Sequence, residues 1–170
     1  MVRYKQFVVL AACLLVCLVA CNNKPAPGVT NAGERATGNA AGAGSLLTIV
    51  DVEKASGKAG LKLVPRDPTK GAGGDLNFAT ADDKMLAMLV VADMSIFAQW
   101  KGHATYNAGA IPGVGDEAYK GPGGPTPYLI FFRKGEKVVS VSSFMDMATA
   151  KPYLSIGQLT ELAKLVASRL

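Results

Sequence analysis

The stretch from Tyr128 to Phe144, YLIFFRKGEKVVSVSSF, most narrows what this chain can fold into. Two apolar, β-branched and aromatic runs flank a charged five-residue group, Arg133-Lys134-Gly135-Glu136-Lys137. A run of this kind pairs with itself as an antiparallel hairpin, with strands at 128–133 and 137–144. Val139 and Val141 alternate with Ser140 and Ser142, which predicts a sheet with one wet face. The charged group then sits at a solvated hairpin tip. The basic residues elsewhere are scattered among acids, so no contiguous basic face for nucleic acid is expected.

A helix has to cover the other face of such a sheet, and the C-terminal segment supplies one at 156–168. Ser155 and Gln158 have capping-box spacing, Ile156, Leu159, Ala163 and Val166 share one side, and Glu161, Lys164 and Ser168 share the other. Near the start of the folded part, Thr48 and Asp51 predict a helix over 49–56 that Gly57 stops. Strands are expected at 75–80 and 85–92, and MLAMLVVA at 85–92 is apolar on both faces, as in a covered central strand. The competing reading is one long helix from Asp82 to Trp100. Asp93 is placed to cap a further helix carrying Ile96, Phe97 and Trp100, with Gly102 at its end. A short strand is also plausible around Leu61, Leu63 and Val64, bounded by Pro65 and Pro68. The expected class is α+β: an antiparallel sheet of about five to six strands packed by two to three helices, within one domain at 45–170.

The first 44 residues read differently. Arg3 and Lys5 precede fourteen apolar or small residues, Phe7 to Ala20, which is the pattern of a secretory signal and too short to span a bilayer. Leu18-Val19-Ala20-Cys21 resembles the lipobox of bacterial lipoproteins. That resemblance implies cleavage before Cys21, lipidation of its thiol, with palmitate among the attached chains, and a leader at 1–20. Cys13 and Cys17 would leave with the leader, so the mature fold would contain no disulfide. Its formal charge would be 16 minus 13, or +3, after Arg3 and Lys5 are removed from the 18 basic residues. Residues 22–44 are rich in Gly, Ala, Asn and Pro and read as a disordered tether with a reach of roughly 25 to 30 Å.

Three spaced motifs carry a further resemblance: TIVDVEKASG at 48–57, PGVGDEAY at 112–119 and RKGEKVVSVS at 133–142. Together they resemble a group of small bacterial lipoprotein domains of unknown function, frequent in actinobacteria. The resemblance covers 45–170 and implies a curved antiparallel sheet with packed helices. Members often carry a cysteine pair, one of them where Leu76-Asn77-Phe78 stands here. The family brings no catalytic residues.

For chemistry, the loop residues Gly113, Gly115, Asp116, Glu117 and Tyr119 are the most conspicuous group. Adjacent carboxylates can bind a cation or exchange protons, yet neighbours in a strand diverge, so Asp116 and Glu117 are expected to part and to fix a turn, with the glycines supplying backbone freedom. His103, the only histidine, is expected to face solvent from a loop. Met85, Met88, Met94, Met145 and Met147 are expected as core filler, the alternative being thioether ligation of monovalent copper with His103 as helper. GAGG at 71–74 lacks a phosphate-loop ending. Trp100, Tyr106, Tyr119 and Tyr128 are expected in core or rim. No resident cofactor or metal is implied. The reading is a lipid-anchored envelope module of unknown specific activity, held at a bacterial membrane (the outer one in a two-membrane host). It binds an envelope protein or a small apolar ligand without catalysis. The alternative is an envelope hydrolase using Asp116, Glu117 and His103, or a copper-binding protein.

Overall fold

A computed structural model describes residues 40–64, 75–122 and 126–170. The leader, Cys21, most of the proposed tether, Pro65, Pro68 and the GAGG stretch at 71–74 lie outside the described residues. The fold is α+β. Helices α1 (Ala40–Leu46) and α2 (Ile49–Ser56) precede strands β1 (Lys62–Leu63), β2 (Leu76–Ala79) and β3 (Met85–Ala92). Helix α3 (Met94–Gly102) leads to β4 (Gly109–Ala110), β5 (Glu117–Gly121), β6 (Tyr128–Lys134) and β7 (Lys137–Ser143). A small hairpin, β8 (Met145–Asp146) and β9 (Lys151–Pro152), then feeds helix α4 (Ile156–Arg169).

Seven strands form one antiparallel sheet in the order β1-β2-β3-β7-β6-β5-β4. The short strand expected around Leu61 to Val64 forms as β1, and the one strand beyond the expected number is β4, two residues long and too short to leave a periodic trace. The doubly apolar MLAMLVVA segment is β3, paired on both sides, and the single-helix alternative over 82–100 is excluded. Helix α1 spans the expected domain start at 45, with Ala43 buried in the core.

Local chemistry accounts for the helix ends. The Thr48 hydroxyl accepts the Asp51 N–H while Asp51 accepts the Thr48 N–H, and Gly57 closes α2 at φ 70°. Asp93 caps α3 by accepting the Ser95 and Ile96 N–H groups. Ser155 and Gln158 form the expected capping box, and α4 lies against β6 and β7. Leu159, Ala163 and Val166 of α4 meet Phe78, Leu89, Ile130, Phe132, Val139 and Val141 in the main core. The side-chain amide of Gln158 also donates to the Ala55 carbonyl at 2.7 Å, fastening the start of α4 to the end of α2.

The other face of the sheet corrects one expectation. Ser140 and Ser142 are not wetted: they are 1% and 0% exposed. Val90 and Phe131 flank Ser140 in register, Met88 and Leu129 flank Ser142, and α3 lies over β6 and β7 on this side. Small side chains between large neighbours are covered by those neighbours, so a serine period in sequence does not by itself mark a solvated face. Here Phe97, Leu129, Phe131 and Val138 make a second core, with Trp100, Tyr106 and Tyr119 at its margin. Phe131 lies 5.5 Å from Phe97 and 5.6 Å from Trp100, both edge-on, and stacks at 5.5 Å on Tyr119, its partner in the strand pairing.

Candidate functional site

The GVGDEAY loop folds into a network that consumes its own carboxylates. Glu117 begins β5 opposite Arg133. It accepts from the Lys101 ammonium at 2.6 Å, the Tyr119 hydroxyl at 2.6 Å and the Arg133 Nε at 3.2 Å. These three bonds, that from Lys101 foremost, hold the Glu117 carboxyl down to about 2. Asp116 accepts the Gly135 N–H at 2.7 Å, which pins the hairpin turn, and lies 3.6 Å from the Arg133 guanidinium. Asp116 thus bonds the backbone of a turn, whereas Glu117 bonds side chains. The two acids do not diverge as expected: both reach one guanidinium, because Asp116 precedes the strand and escapes its strict alternation. Gly113 and Gly115 both sit at positive φ, as their role in the loop requires.

His103 is exposed at the end of α3, where its Nδ1 accepts the Thr105 N–H at 3.2 Å and its ring leans on Tyr106. The loop's carboxylates and this imidazole each have a local partner. Among the described residues no three His, Cys, Asp or Glu side chains are grouped to hold a metal ion.

The methionines overturn the core-filler expectation. Met94 is 41% exposed, Met145 40% and Met147 87%. Met85, Met145 and Met147 line one cleft of about 590 Å³ together with Lys84, Phe144, Asp146 and Tyr153. Strand pairing explains the convergence. β3 and β7 pair as far as Ala87 and Ser143, and the Phe144 N–H continues the ladder by donating to the Leu86 carbonyl at 2.9 Å. Met85 and Met145 are the next residues on either side of that bond, and both line the cleft. Met147 follows two residues later, at the turn of the β8–β9 hairpin, which pairs Met145 with Pro152 and Asp146 with Lys151.

Two turns flank the cleft, and each carries a non-glycine residue in the left-handed region: Asp83 at φ 64° and Ala150 at φ 52°. In the first turn Asp82 accepts from the Thr80 hydroxyl at 2.6 Å and pairs with Lys84 at 2.9 Å, which draws its carboxyl down to about 2 and raises the Lys84 ammonium. In the second, Asp146 accepts the Ala148 N–H at 3.0 Å. Burial, followed by the charge of Asp146, pushes the Tyr153 hydroxyl up. Both walls are thus held by their own hydrogen bonds, while the thioethers between them make none among the described residues. Sequence reasoning had the right residue types here and the wrong environment. The Met145-Asp146-Met147 spacing was the available signal.

Two other concavities are framed by residues already engaged in the fold. One runs between α2 and α4 past Asp51 and Gln158, and a smaller one lies by Lys120, Tyr128 and Ile156. Among the described residues no helix is long and apolar enough to cross a membrane. No protein-family model matches the chain, and no curated protein or solved structure matches it either. The family expectation accordingly rests on the three motifs.

Proposed function

We propose that this protein is a lipid-anchored cell-envelope binding module, without catalysis of its own, whose ligand site is the methionine-lined cleft. The observation that carries the reading is the exposure of Met145 and Met147 beside Met85, Phe144 and Tyr153 on self-braced walls. Flexible, polarisable thioethers adapt to apolar ligands of differing shape, and exposing them serves no packing purpose. The cleft's size suits a small ligand. Support for a binding role over hydrolysis comes from the acid loop, where Glu117 and Asp116 brace the hairpin. The address rests on the lipobox-like LVAC, with Cys21 as the acylated residue and the following segment as spacer. Two acyl chains hold stably where one is marginal, at about 0.8 kcal/mol per buried methylene.

The ligand site is tested with an apolar fluorescent probe such as 1-anilinonaphthalene-8-sulfonate. Saturable binding that Met145→Glu with Met147→Glu abolishes is expected, and binding indifferent to both changes would remove the cleft from consideration. The anchor is tested separately, by labelled palmitate entering wild type and not Cys21→Ala.

A further inference from the structure

Taking the cleft to be the ligand site, we infer that Met85, Met145 and Met147 form a thioether site for a soft monovalent cation, copper(I) or silver(I). Three of the six methionines in the chain line this one cleft. They arrive from two separate stretches, 85 and 145–147, brought side by side by the β3–β7 register and its extension through the Phe144–Leu86 bond. Thioether sulfur is neutral, polarisable and a poor ligand for hard divalent ions, whereas monovalent copper is held by soft donors. No imidazole or thiolate lies in the cleft lining, so its soft donors are the thioethers, and zinc, whose sites draw chiefly on nitrogen and thiolate, is disfavoured.

The surroundings suit such an ion. Lys84 shares the cleft, but its charge is met by Asp82 at 2.9 Å, and Asp146 adds a carboxylate to the opposite wall. Asp146 is itself tied to the Ala148 N–H, so the residue between Met145 and Met147 fixes the hairpin turn while the side chains of its two neighbours are exposed. Methionine has three rotatable side-chain bonds, enough for the exposed Met145 and Met147 to close over an ion beside the half-buried Met85. Phe144 and Tyr153 supply an apolar backing.

The test follows the ε-methyl signals of ¹³C-methyl-methionine in the full chain, solubilised in detergent with any free thiol among Cys13, Cys17 and Cys21 blocked by N-ethylmaleimide, during titration with silver nitrate in chloride-free buffer. One equivalent is expected to shift Met85, Met145 and Met147 and to leave Met88 and Met94 in place, with zinc(II) moving none. Met145→Leu combined with Met147→Leu keeps volume and apolarity and should weaken silver binding at least tenfold, with far-UV circular dichroism unchanged. Met85→Leu alone should weaken it less. Silver that moves none of the three signals, or binds the double variant as well as wild type, overturns the inference. The apolar probe separates this result from the broader reading. Probe binding without silver binding removes the cation and leaves the cleft, silver binding without probe binding keeps the cation site and removes the apolar ligand, and failure of both removes both.

Discussion

Arg169, near the end of α4, grips Asp51 in the first turn of α2 through two bonds, Nη1 to Oδ2 at 2.6 Å and Nη2 to Oδ1 at 3.0 Å. The contact joins residues 118 apart in sequence and complements both helix ends, an acid at an N-terminus and a cation at a C-terminus. With Gln158 on Ala55 at the opposite ends of the same helices, it clamps α2 against α4. The bond from Arg169, assisted by Thr48 and opposed by burial, holds the Asp51 carboxyl well below the usual carboxylate range. A depressed carboxylate stabilises the fold fully above its unfolded value near 4, and that stabilisation is lost as pH falls towards the folded value. Asp51→Asn and Arg169→Ala should each cost about 2 kcal/mol at pH 7. Urea titrations at pH 7 and 3 should also show a smaller acid destabilisation in Asp51→Asn than in wild type.

Glu117 makes the same argument at lower stakes. It is 27% exposed, so water screens its bonds to Lys101, Tyr119 and Arg133. Glu117→Gln should cost about 1 kcal/mol or less in thermal unfolding at pH 7. The sign is again that of a lowered acid: the contribution is present above 4.5 and fades as pH falls towards about 2. A loss much above this would mean that the loop carries more of the fold than a partly wetted pair can.

The PGVG turn offers a graded pair. Gly113 at φ 76° has open space where a Cβ would stand, so Gly113→Ala should cost about 1–2 kcal/mol from backbone conformation alone. At Gly115, φ 55°, an added Cβ would sit 2.4 Å from the Arg133 carbonyl oxygen, and the steric cost of roughly 1–3 kcal/mol adds to the conformational one. Denaturant midpoints should therefore rank wild type above Gly113→Ala and Gly113→Ala above Gly115→Ala. Equal losses would show that contact with Arg133 is relieved by loop movement.

Adjacent serines at the end of β7 should behave in opposite ways. Ser142 Oγ is buried without a hydrogen-bond partner, so Ser142→Ala should be neutral or raise the unfolding temperature slightly. Ser143 Oγ accepts the Leu154 N–H at 2.9 Å and donates to the Phe144 carbonyl at 3.1 Å. Ser143→Ala strands a buried amide and should cost about 1–3 kcal/mol. Differential scanning calorimetry of the two variants resolves the contrast.

Elements whose stability is local were legible in the letters. The capping boxes at Thr48–Asp51 and Ser155–Gln158, the Asp93 cap, the glycine stop at 57 and the 128–144 hairpin all depend on residues within a few positions of one another, and all formed. The GVGDEAY loop was legible in part. Turn-fixing by Asp116 was foreseeable from residue type, but Lys101 and Arg133 reach Glu117 from 16 residues away on either side, and no spacing announces that. The two-residue strand β4 is recruited by β5 and has no period of its own to read, whereas β1 lay in an apolar stretch that did point to a strand.

The cleft marks the boundary between the two kinds of information. Composition determined that thioethers were available, and the Met145-Asp146-Met147 spacing held two of them close. Whether they would be buried was decided by the pairing of β3 with β7, which brings the residues next to Met85 and Met145 together, and by the small hairpin that leaves Met147 in solvent. In the same way alternation determined that Ser140 and Ser142 share a face, and only α3 and the large neighbours in adjacent strands decided that this face is dry. Periodicity reports which side chains point together, since that follows from backbone geometry within one element. What they point at depends on chain segments distant in sequence, and those contacts exist only once the sheet has been assembled.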